Sequence, residues 1–303
     1  VGAADNTKTI LENIRQYETL HGEGAFTRTK PPGLMAFYIT LDQLINGAAS
    51  NRSPVQRLER LSWAITYAFP ILAMGLVFLL HFFACRYGSS QTGLAPWMAP
   101  VFLILCPNVI LFALYPDQAL YPGLFLLGAI LAIETIQRQS LWAAPFLGAF
   151  LYLAIFFTFT ALPLYPFAGL FLALYYWQKR QQLQFSRQIA LGLLIAAGTI
   201  LLYFIFREFL HYDFLPRFQQ TVSVNHDFDF YARVGLQPPA GPEPFGLRIA
   251  QIATAAWFNN LEFAATTGFP IYILFVIHSI RLVVRLIRRE IQPGDSVLGA
   301  FLF

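Results

Sequence analysis

The stretch LSWAITYAFPILAMGLVFLLHFFA, residues 61–84, contains no Asp, Glu, Lys or Arg. About 20 mostly apolar residues are enough for an α-helix to cross a bilayer, and an unpaired charge inside the hydrocarbon costs several kcal/mol. Further apolar runs with few or no such residues follow at residues 95–114, 119–136, 141–158, 162–177, 189–206 and 269–286. The sequence therefore predicts an all-α, polytopic transmembrane protein with about seven spans.

The composition leads to the same class of protein. Of 303 residues, 57% are hydrophobic, 17% aromatic and only 12% charged. This composition is too apolar for the surface of a water-soluble protein. The net charge of +4 comes from short basic clusters beside apolar runs, such as Gln178-Lys179-Arg180. This pattern is typical of cytoplasmic loops rather than of nucleic-acid binding. We expect a multi-pass protein of the plasma or inner membrane, with the bilayer as a partner and no nucleic acid.

The basic clusters also predict the orientation of the chain. If the loops at residues 86–90, 137–140, 178–188 and 288–292 are cytoplasmic, the spans alternate strictly. Four units follow: an extracytoplasmic loop with interfacial helices (residues 1–60), a transmembrane helical core (61–206), an extracytoplasmic loop with an interfacial helix (207–266), and a last span with the start of a truncated one (267–303). The chain is expected to be a fragment that lacks a first span and a C-terminal part.

Three polar or short apolar segments are predicted to form interfacial helices. They are residues 5–20, residues 33–44, which carry Asp42 and are short for a span, and residues 249–263. The stretch at residues 207–248 is predicted to be a long loop, either functional or a flexible connection. Cys85 and Cys106 lie in or beside spans, and we interpret them as packing residues rather than disulfide or metal ligands.

The motif Thr29-Lys30-Pro31-Pro32-Gly33 is the first that carries chemistry. Two prolines restrict the backbone and favour a helix start, so Lys30 is predicted to lie at the membrane surface with Arg28 nearby. A lysine held in this way suits a phosphate group. A lysine that merely extends its ammonium group to the interface explains the pattern equally well.

Two further motifs add carboxylates and amides. Asp117 lies in the short outer loop Tyr115-Pro116-Asp117-Gln118, where it binds a sugar or caps the following helix. Asn260 and Glu262 lie among aromatic residues, a composition shared by sugar-contacting surfaces and by aromatic belts at membrane interfaces. His226, in the polar stretch at residues 207–248, is a further predicted substrate-binding residue.

Together these motifs resemble the C-type fold of integral-membrane glycosyltransferases, in particular the group of protein O-mannosyltransferases and lipid A aminoarabinose transferases. The resemblance rests on the order Asp5, a helix to Leu20, Lys30-Pro31-Pro32, two spans, and then Pro116-Asp117. The run from Asn259 to Pro270, which reads Asn-x-x-Glu-Phe-x-x-x-x-Gly-x-Pro, is similar to a late motif of related membrane transferases.

The resemblance implies transfer of a sugar from a polyprenyl-phosphate donor to a lipid, glycan or protein acceptor at the extracytoplasmic face. Asp5, or a carboxylate upstream of Val1, would be the general base, and Lys30 and Arg28 would offset charge on the phosphate. Asp117 would orient a sugar. Residues Pro31, Pro32, His226, Asn260 and Glu262 complete the predicted substrate site. No metal ligands are assigned, and a divalent cation is a possible cofactor.

Two other classes of function are compatible with the sequence. A flippase or transporter for a lipid-linked substrate would need polar residues through the depth of the bilayer, and the spans carry few: His81, Glu134 and His278, besides Arg281 and Arg285 of the basic cluster that ends the last span. A non-catalytic membrane component that binds a lipid or a partner would show the same pattern of spans and loops.

The predicted orientation can be tested by labelling introduced cysteines on intact cells. A membrane-impermeant thiol reagent should label Gly24→Cys and Ser223→Cys but not Gln182→Cys, because the first two positions are predicted to be extracytoplasmic. Labelling of all three from outside would contradict the orientation.

Overall fold

The computed structural model describes residues 10–16, 31–47, 53–88, 96–105, 116–226, 253–254, 257, 261, 264–265 and 269–288. Its regular structure within those ranges is helical throughout. The helices are α1 (Ile10–Arg15), α2 (Gly33–Asn46), α3 (Pro54–Phe83), α4 (Met98–Leu105), α5 (Pro116–Gln137), α6 (Ala143–Phe157), α7 (Leu164–Lys179), α8 (Phe185–Leu210), α9 (Phe214–His226) and α10 (Phe269–Arg288). A π-helical turn (Ala84–Gly88) follows α3, and a 3₁₀ turn (Phe159–Ala161) precedes α7.

Three of the described helical segments are long and apolar enough to cross a membrane. They are Leu120–Gln137, Phe159–Lys179 and Phe185–Leu210. The segments Met74–Tyr87 and Ala143–Phe157 are apolar but shorter. The prediction of an all-α chain with apolar helices is therefore confirmed for the described residues.

The hydrophobic core lies among α5, α6, α7 and α8. Its fully buried side chains include Ile133 of α5, Leu147 of α6, Phe171 of α7 and Leu191 of α8. Helices α5 and α6 form a hairpin, and α7 crosses back so that α6 and α8 run parallel and adjacent. Because one face of each helix is buried here, the opposite faces carry the exposed apolar side chains.

Helices α6 and α8 meet through their backbones at two glycines. A Cβ atom at Gly148 would overlap the carbonyl oxygen of Ile195, and one at Gly198 would overlap that of Pro145. The Thr199 hydroxyl donates to the carbonyl oxygen of Gly148 across the contact, at 3.0 Å. Only glycine lets two helical backbones come so close, so these positions set the distance between α6 and α8.

One end of the bundle, which we call the basic end, is defined by Arg86, Arg138 and Arg187. Glu134 of α5 accepts hydrogen bonds from Nε of Arg86 at 3.2 Å, from Nε of Arg138 at 2.7 Å and from the Tyr87 hydroxyl at 2.6 Å. Arg187 donates to the carbonyl oxygen of Gln139 at 2.8 Å. These contacts join segments that the sequence assigned to one common face.

The turn between α5 and α6 depends on a glutamine with a positive φ. Gln139 has φ 53°, a conformation that non-glycine residues seldom adopt. Its side-chain amide donates to the carbonyl oxygen of Ile136 at 2.7 Å, and it exchanges hydrogen bonds with the buried amide of Gln188. The surrounding contacts thus hold the turn in place and connect it to the start of α8.

Several sequence predictions are refined by the structure. The stretch at residues 207–248 is not a loop throughout, because α8 continues to Leu210 and α9 occupies Phe214–His226. The predicted helix at residues 5–20 is described only at Ile10–Arg15, and the predicted helix at residues 33–44 extends to Asn46. Cys85 is exposed, with Sγ 3.5 Å from Nε2 of His81, so its interpretation as a packing residue is wrong. Cys106 lies outside the described residues.

The glycine contact predicts opposite effects for two similar substitutions. Gly148→Ala should lower the free energy of unfolding by about 1–3 kcal/mol, because the new methyl group forces two backbones apart. Gly169→Ala in α7, where a Cβ meets no atom within 4 Å, should raise it by about 0.5–1 kcal/mol, because alanine favours helix. Thermal and denaturant unfolding of the detergent-solubilised protein measures both. A Gly148→Ala protein as stable as the parent would contradict the contact.

Candidate functional site

The end opposite the basic end, which we call the aromatic end, is defined by Phe156, Phe206, Tyr212 and Phe214. The ring of Phe156 lies edge-on to those of Phe206 and Tyr212, with centroids 4.7 Å and 5.3 Å apart. Ile14 of α1 is buried in the same cluster, and Met35 and Ala36 of α2 pack against it. The cluster therefore joins the N-terminal polar region to the region after α8, two stretches far apart in sequence.

The Pro31-Pro32-Gly33 motif opens α2 directly against the last turn of α6. Pro31, Pro32 and Gly33 are buried. A Cβ at Gly33 would lie 2.5 Å from the carbonyl oxygen of Phe156 and 2.8 Å from the Cα of Phe157, so a side chain cannot fit there. Proline tolerates the first turn of a helix because its missing N–H would have no helical partner. The motif is thus a docking point between α2 and α6.

A buried ion pair holds α2 against α3. The carboxylate of Asp42 accepts a short hydrogen bond from the Arg57 guanidinium, and both side chains are almost completely buried. Asn46 donates to Oδ1 of Asp42 at 2.8 Å and to the carbonyl oxygen of Arg57 at 3.2 Å. The polar side of α2 therefore faces the protein, whereas Leu44 is 77% exposed. The pair also explains why Arg57 lies on a face where the sequence predicts few basic residues.

Asp213 is a carboxylate at this end that the sequence analysis did not select. It accepts from the Tyr203 hydroxyl and from the backbone N–H of Leu215, both at 3.1 Å, and lies 3.9 Å from Nε of Arg207. The bond to Leu215 caps α9, which is the ordinary role of an aspartate before a helix. In the sequence, its position shortly after an apolar run could have marked Asp213 as a candidate residue.

Two arginines beside the cluster were also missed. Nε of Arg15 donates to the carbonyl oxygen of Phe209 at 2.9 Å, which fixes α1 on the last turn of α8. Arg217 of α9 is only 2% exposed, and its Nη1 donates to Oε1 of Gln220 at 2.9 Å. Both arginines are thus held by contacts within the protein.

The predicted site residues are only partly covered by the described ranges. Asp5, Arg28, Lys30, Asn260 and Glu262 lie outside them. Pro31 and Pro32 lie at the aromatic end. Asp117 is the second residue of α5, and α5 extends past the end of α6 there, because the two antiparallel helices have 22 and 15 residues. The structure thus brings the backbone of Asp117 to the same end as Pro31 and Pro32.

His226 is not brought to the same place. It is the last residue of α9, which starts at the aromatic end with Phe214, and twelve residues of α-helix span about 18 Å. The stacked rings of Phe214 and Phe218 lie against Phe159, so the first half of α9 covers the turn between α6 and α7 at the aromatic end. Among the described residues no three His, Cys, Asp or Glu side chains are grouped as a metal site would require.

The described residues form a helical fold with three segments of membrane-spanning length and an aromatic cluster at one end. No family model, curated protein or solved structure matches this chain.

The ion pair beneath α2 predicts a strong effect of a single substitution. Arg57→Gln should lower the free energy of unfolding by about 3–5 kcal/mol, because it leaves the Asp42 carboxylate buried without its partner. Denaturant unfolding in detergent measures the change. Arg60→Gln on the same helix is the matched control, and since Arg60 is exposed it should change stability by no more than about 0.5 kcal/mol.

The double variant Asp42→Leu/Arg57→Met distinguishes a lost charge balance from lost packing. It should recover most of the stability, because apolar side chains of similar size often replace a buried pair without loss. An Arg57→Gln protein as stable as the Arg60→Gln protein would contradict the buried pair.

Proposed function

We propose that this chain is a multi-pass membrane protein whose aromatic end faces the extracytoplasmic side. Three apolar helices of spanning length support the membrane placement. So do exposed apolar side chains along α3 and α8, such as Trp63, Phe78, Leu193 and Leu201. Contiguous apolar surface of this extent is typical of lipid contact. The seven predicted spans and the interfacial positions of α1 and α2 belong to this proposal.

The charge distribution supports the orientation. Arg86, Arg138 and Arg187 gather at the basic end, and basic residues at the ends of spans favour the cytoplasmic side. The basic residues of the aromatic end oppose this trend, but Arg57 is neutralised by Asp42 and Arg207 lies close to Asp213. The basic end is therefore the proposed cytoplasmic end.

At the aromatic end we propose transfer of a sugar from a polyprenyl-phosphate donor to a lipid, glycan or protein acceptor. The observation that carries this proposal is the docking of Pro31-Pro32-Gly33 on the backbone of α6, at the end where α5 begins with Pro116-Asp117. These are the two described motifs on which the resemblance to C-type glycosyltransferases rests. A proline-opened helix fixed against a span offers a rigid place for the preceding lysine at the surface of the membrane.

The proposed reaction assigns a separate role to each charged residue. Asp5 takes the proton of an acceptor hydroxyl while the hydroxyl oxygen attacks the anomeric carbon of the donor sugar. The bond between that carbon and the phosphate oxygen breaks, and the electron pair stays on the phosphate. Lys30, together with Arg28, stabilises the charge that develops there. Asp117 orients a sugar, and His226, Asn260 and Glu262 contribute further substrate contacts.

Substitutions in a full-length protein test these roles. Asp5→Asn should lower turnover by about 100-fold or more, the usual scale for loss of a general base, while donor binding survives. Lys30→Ala should weaken both donor binding and turnover, because a phosphate contact acts in the ground state and strengthens in the transition state. Asp117→Asn should have an intermediate effect. Donor binding and transfer are measured separately in reconstituted vesicles.

Asp213→Asn is the matched control for these variants, because Asp213 lies at the same end but caps α9. It should lower stability and leave transfer per folded molecule unchanged. If a carboxylate upstream of Val1 proves essential while Asp5→Asn retains transfer, the base assignment is wrong. If none of the three variants changes transfer, these residues do not form the site and the proposal drawn from the resemblance to C-type glycosyltransferases fails as well.

A further inference from the structure

Two guanidinium groups share one carboxylate at the basic end. Nε of Arg86 donates to Oε1 of Glu134, and Nε of Arg138 donates to Oε2, so the two groups lie close together. The Tyr87 hydroxyl donates to Oε1 as well. Two arginines and one carboxylate carry a net charge of +1. Glu134 therefore balances only half of the positive charge that it gathers between α3 and α5.

The donors that remain on these arginines are accessible from outside the protein. A guanidinium group has five N–H donors, and the contact with Glu134 uses the Nε donor of each arginine. The Arg86 and Arg138 side chains are 53% and 71% exposed. Guanidinium groups bind the oxygens of a phosphate through paired, charge-assisted hydrogen bonds. The two arginines thus offer a phosphate the geometry that it favours.

The distribution of charge selects an anion over a zwitterion. The Glu134 carboxylate accepts three hydrogen bonds and is only 20% exposed, so it is poorly available to a cationic group. Arg187 donates to the carbonyl oxygen of Gln139, the residue after Arg138, and adds positive charge at this end. A phosphodiester with a single negative charge balances the charge of the Arg86–Glu134–Arg138 group.

An exposed apolar face of α3 leads to Arg86. Ile71, Met74, Phe78 and Phe82 are exposed, and their spacing of three and four residues places them on one side of the helix. Arg86 follows Phe82 by four residues, in the π-helical turn after α3. Positive charge at the end of an apolar face matches a phospholipid, because its charged headgroup adjoins acyl chains. A soluble phosphate compound would leave the apolar face uncovered.

The cluster lies where a segment of spanning length ends. Glu134 is three residues before the end of Leu120–Gln137, and Arg138 is the first residue after it. If that segment crosses the bilayer, the arginine side chains reach the layer of lipid headgroups. Basic groups between spanning helices at this depth are typical binding sites for anionic headgroups.

We propose that Arg86 and Arg138 bind the phosphate of an anionic phospholipid, such as phosphatidylglycerol, whose acyl chain lies along the exposed apolar face of α3. This inference rests on the membrane placement proposed above. It does not depend on glycosyl transfer, because the basic end is opposite the proposed transfer site. The bound phosphate would join α3 to α5 in addition to the contacts of Glu134.

Native mass spectrometry of the detergent-solubilised protein tests the proposal. The protein is titrated with phosphatidylglycerol and, separately, with phosphatidylcholine that has the same acyl chains, so that only the headgroup differs. One uncompensated arginine favours an anionic lipid by about fivefold, so phosphatidylglycerol should bind more tightly by at least about that factor. Equal affinities would overturn the proposal and leave the membrane placement intact. Binding of neither lipid would contradict both.

Single substitutions locate the site. Arg86→Gln, and independently Arg138→Gln, should lower the ratio of phosphatidylglycerol to phosphatidylcholine affinity by about fivefold, because each removes the net positive charge. Arg60→Gln is the matched control, since Arg60 is an exposed arginine near the opposite end of α3, and it should leave the ratio unchanged. A variant that merely loses stability would bind both lipids less. An unchanged ratio in both Arg86→Gln and Arg138→Gln would overturn the proposal.

Glycerol 3-phosphate distinguishes a lipid headgroup from a soluble phosphate compound. Added at the same concentration as phosphatidylglycerol, it should not displace the lipid, because it lacks the acyl chains that contact the apolar face of α3. Displacement would identify a soluble phosphate compound as the ligand of Arg86 and Arg138 and would overturn the proposal.

Discussion

The backbones of α6 and α8 touch at Gly148 and Gly198, and most of the described bundle depends on that contact. With the two parallel helices this close, Gln139 reaches Gln188 at one end and Phe156 reaches Phe206 at the other. In a bilayer, lipid tails are as apolar as leucine, so helices gain little by burying leucine against leucine. Close packing at small residues and hydrogen bonds such as that of Thr199 then provide the attraction.

Charged residues are paired within the protein at two of the described helix contacts. Asp42 and Arg57 neutralise each other between α2 and α3, and Glu134 receives two arginines and a tyrosine between α3 and α5. Removing one partner of the buried Asp42–Arg57 pair would leave an uncompensated charge inside the protein, so this pair holds α2 next to α3. The start of α2 is positioned separately, by the contact of Gly33 with the backbone of Phe156 and Phe157.

The aromatic end combines a rigid base with a polar surface. The ring of Phe156 lies edge-to-face with those of Phe206 and Tyr212, and Phe214 packs against the same cluster, a geometry that favours one arrangement over others. Upon this base the structure gathers the Pro31-Pro32 opening, the beginning of α5 and the cap at Asp213. The proposed transfer site would thus be built on fixed elements.

The sequence by itself determined the helical class, because runs of about 20 apolar residues leave few alternatives to helices that satisfy their own backbone hydrogen bonds. It also located the helix start after Pro31-Pro32, since the restriction on proline is local. It missed α9, because that segment lies in a polar stretch without a clear apolar face, and it missed the roles of Arg57 and Asp213. Those roles depended on contacts between residues 10 to 15 positions apart in the sequence.

The tertiary structure alone decided which glycines touch a neighbouring backbone and which leave space. A glycine in a helix has the same local sequence signal whether a neighbouring helix occupies the place of its missing side chain or nothing does.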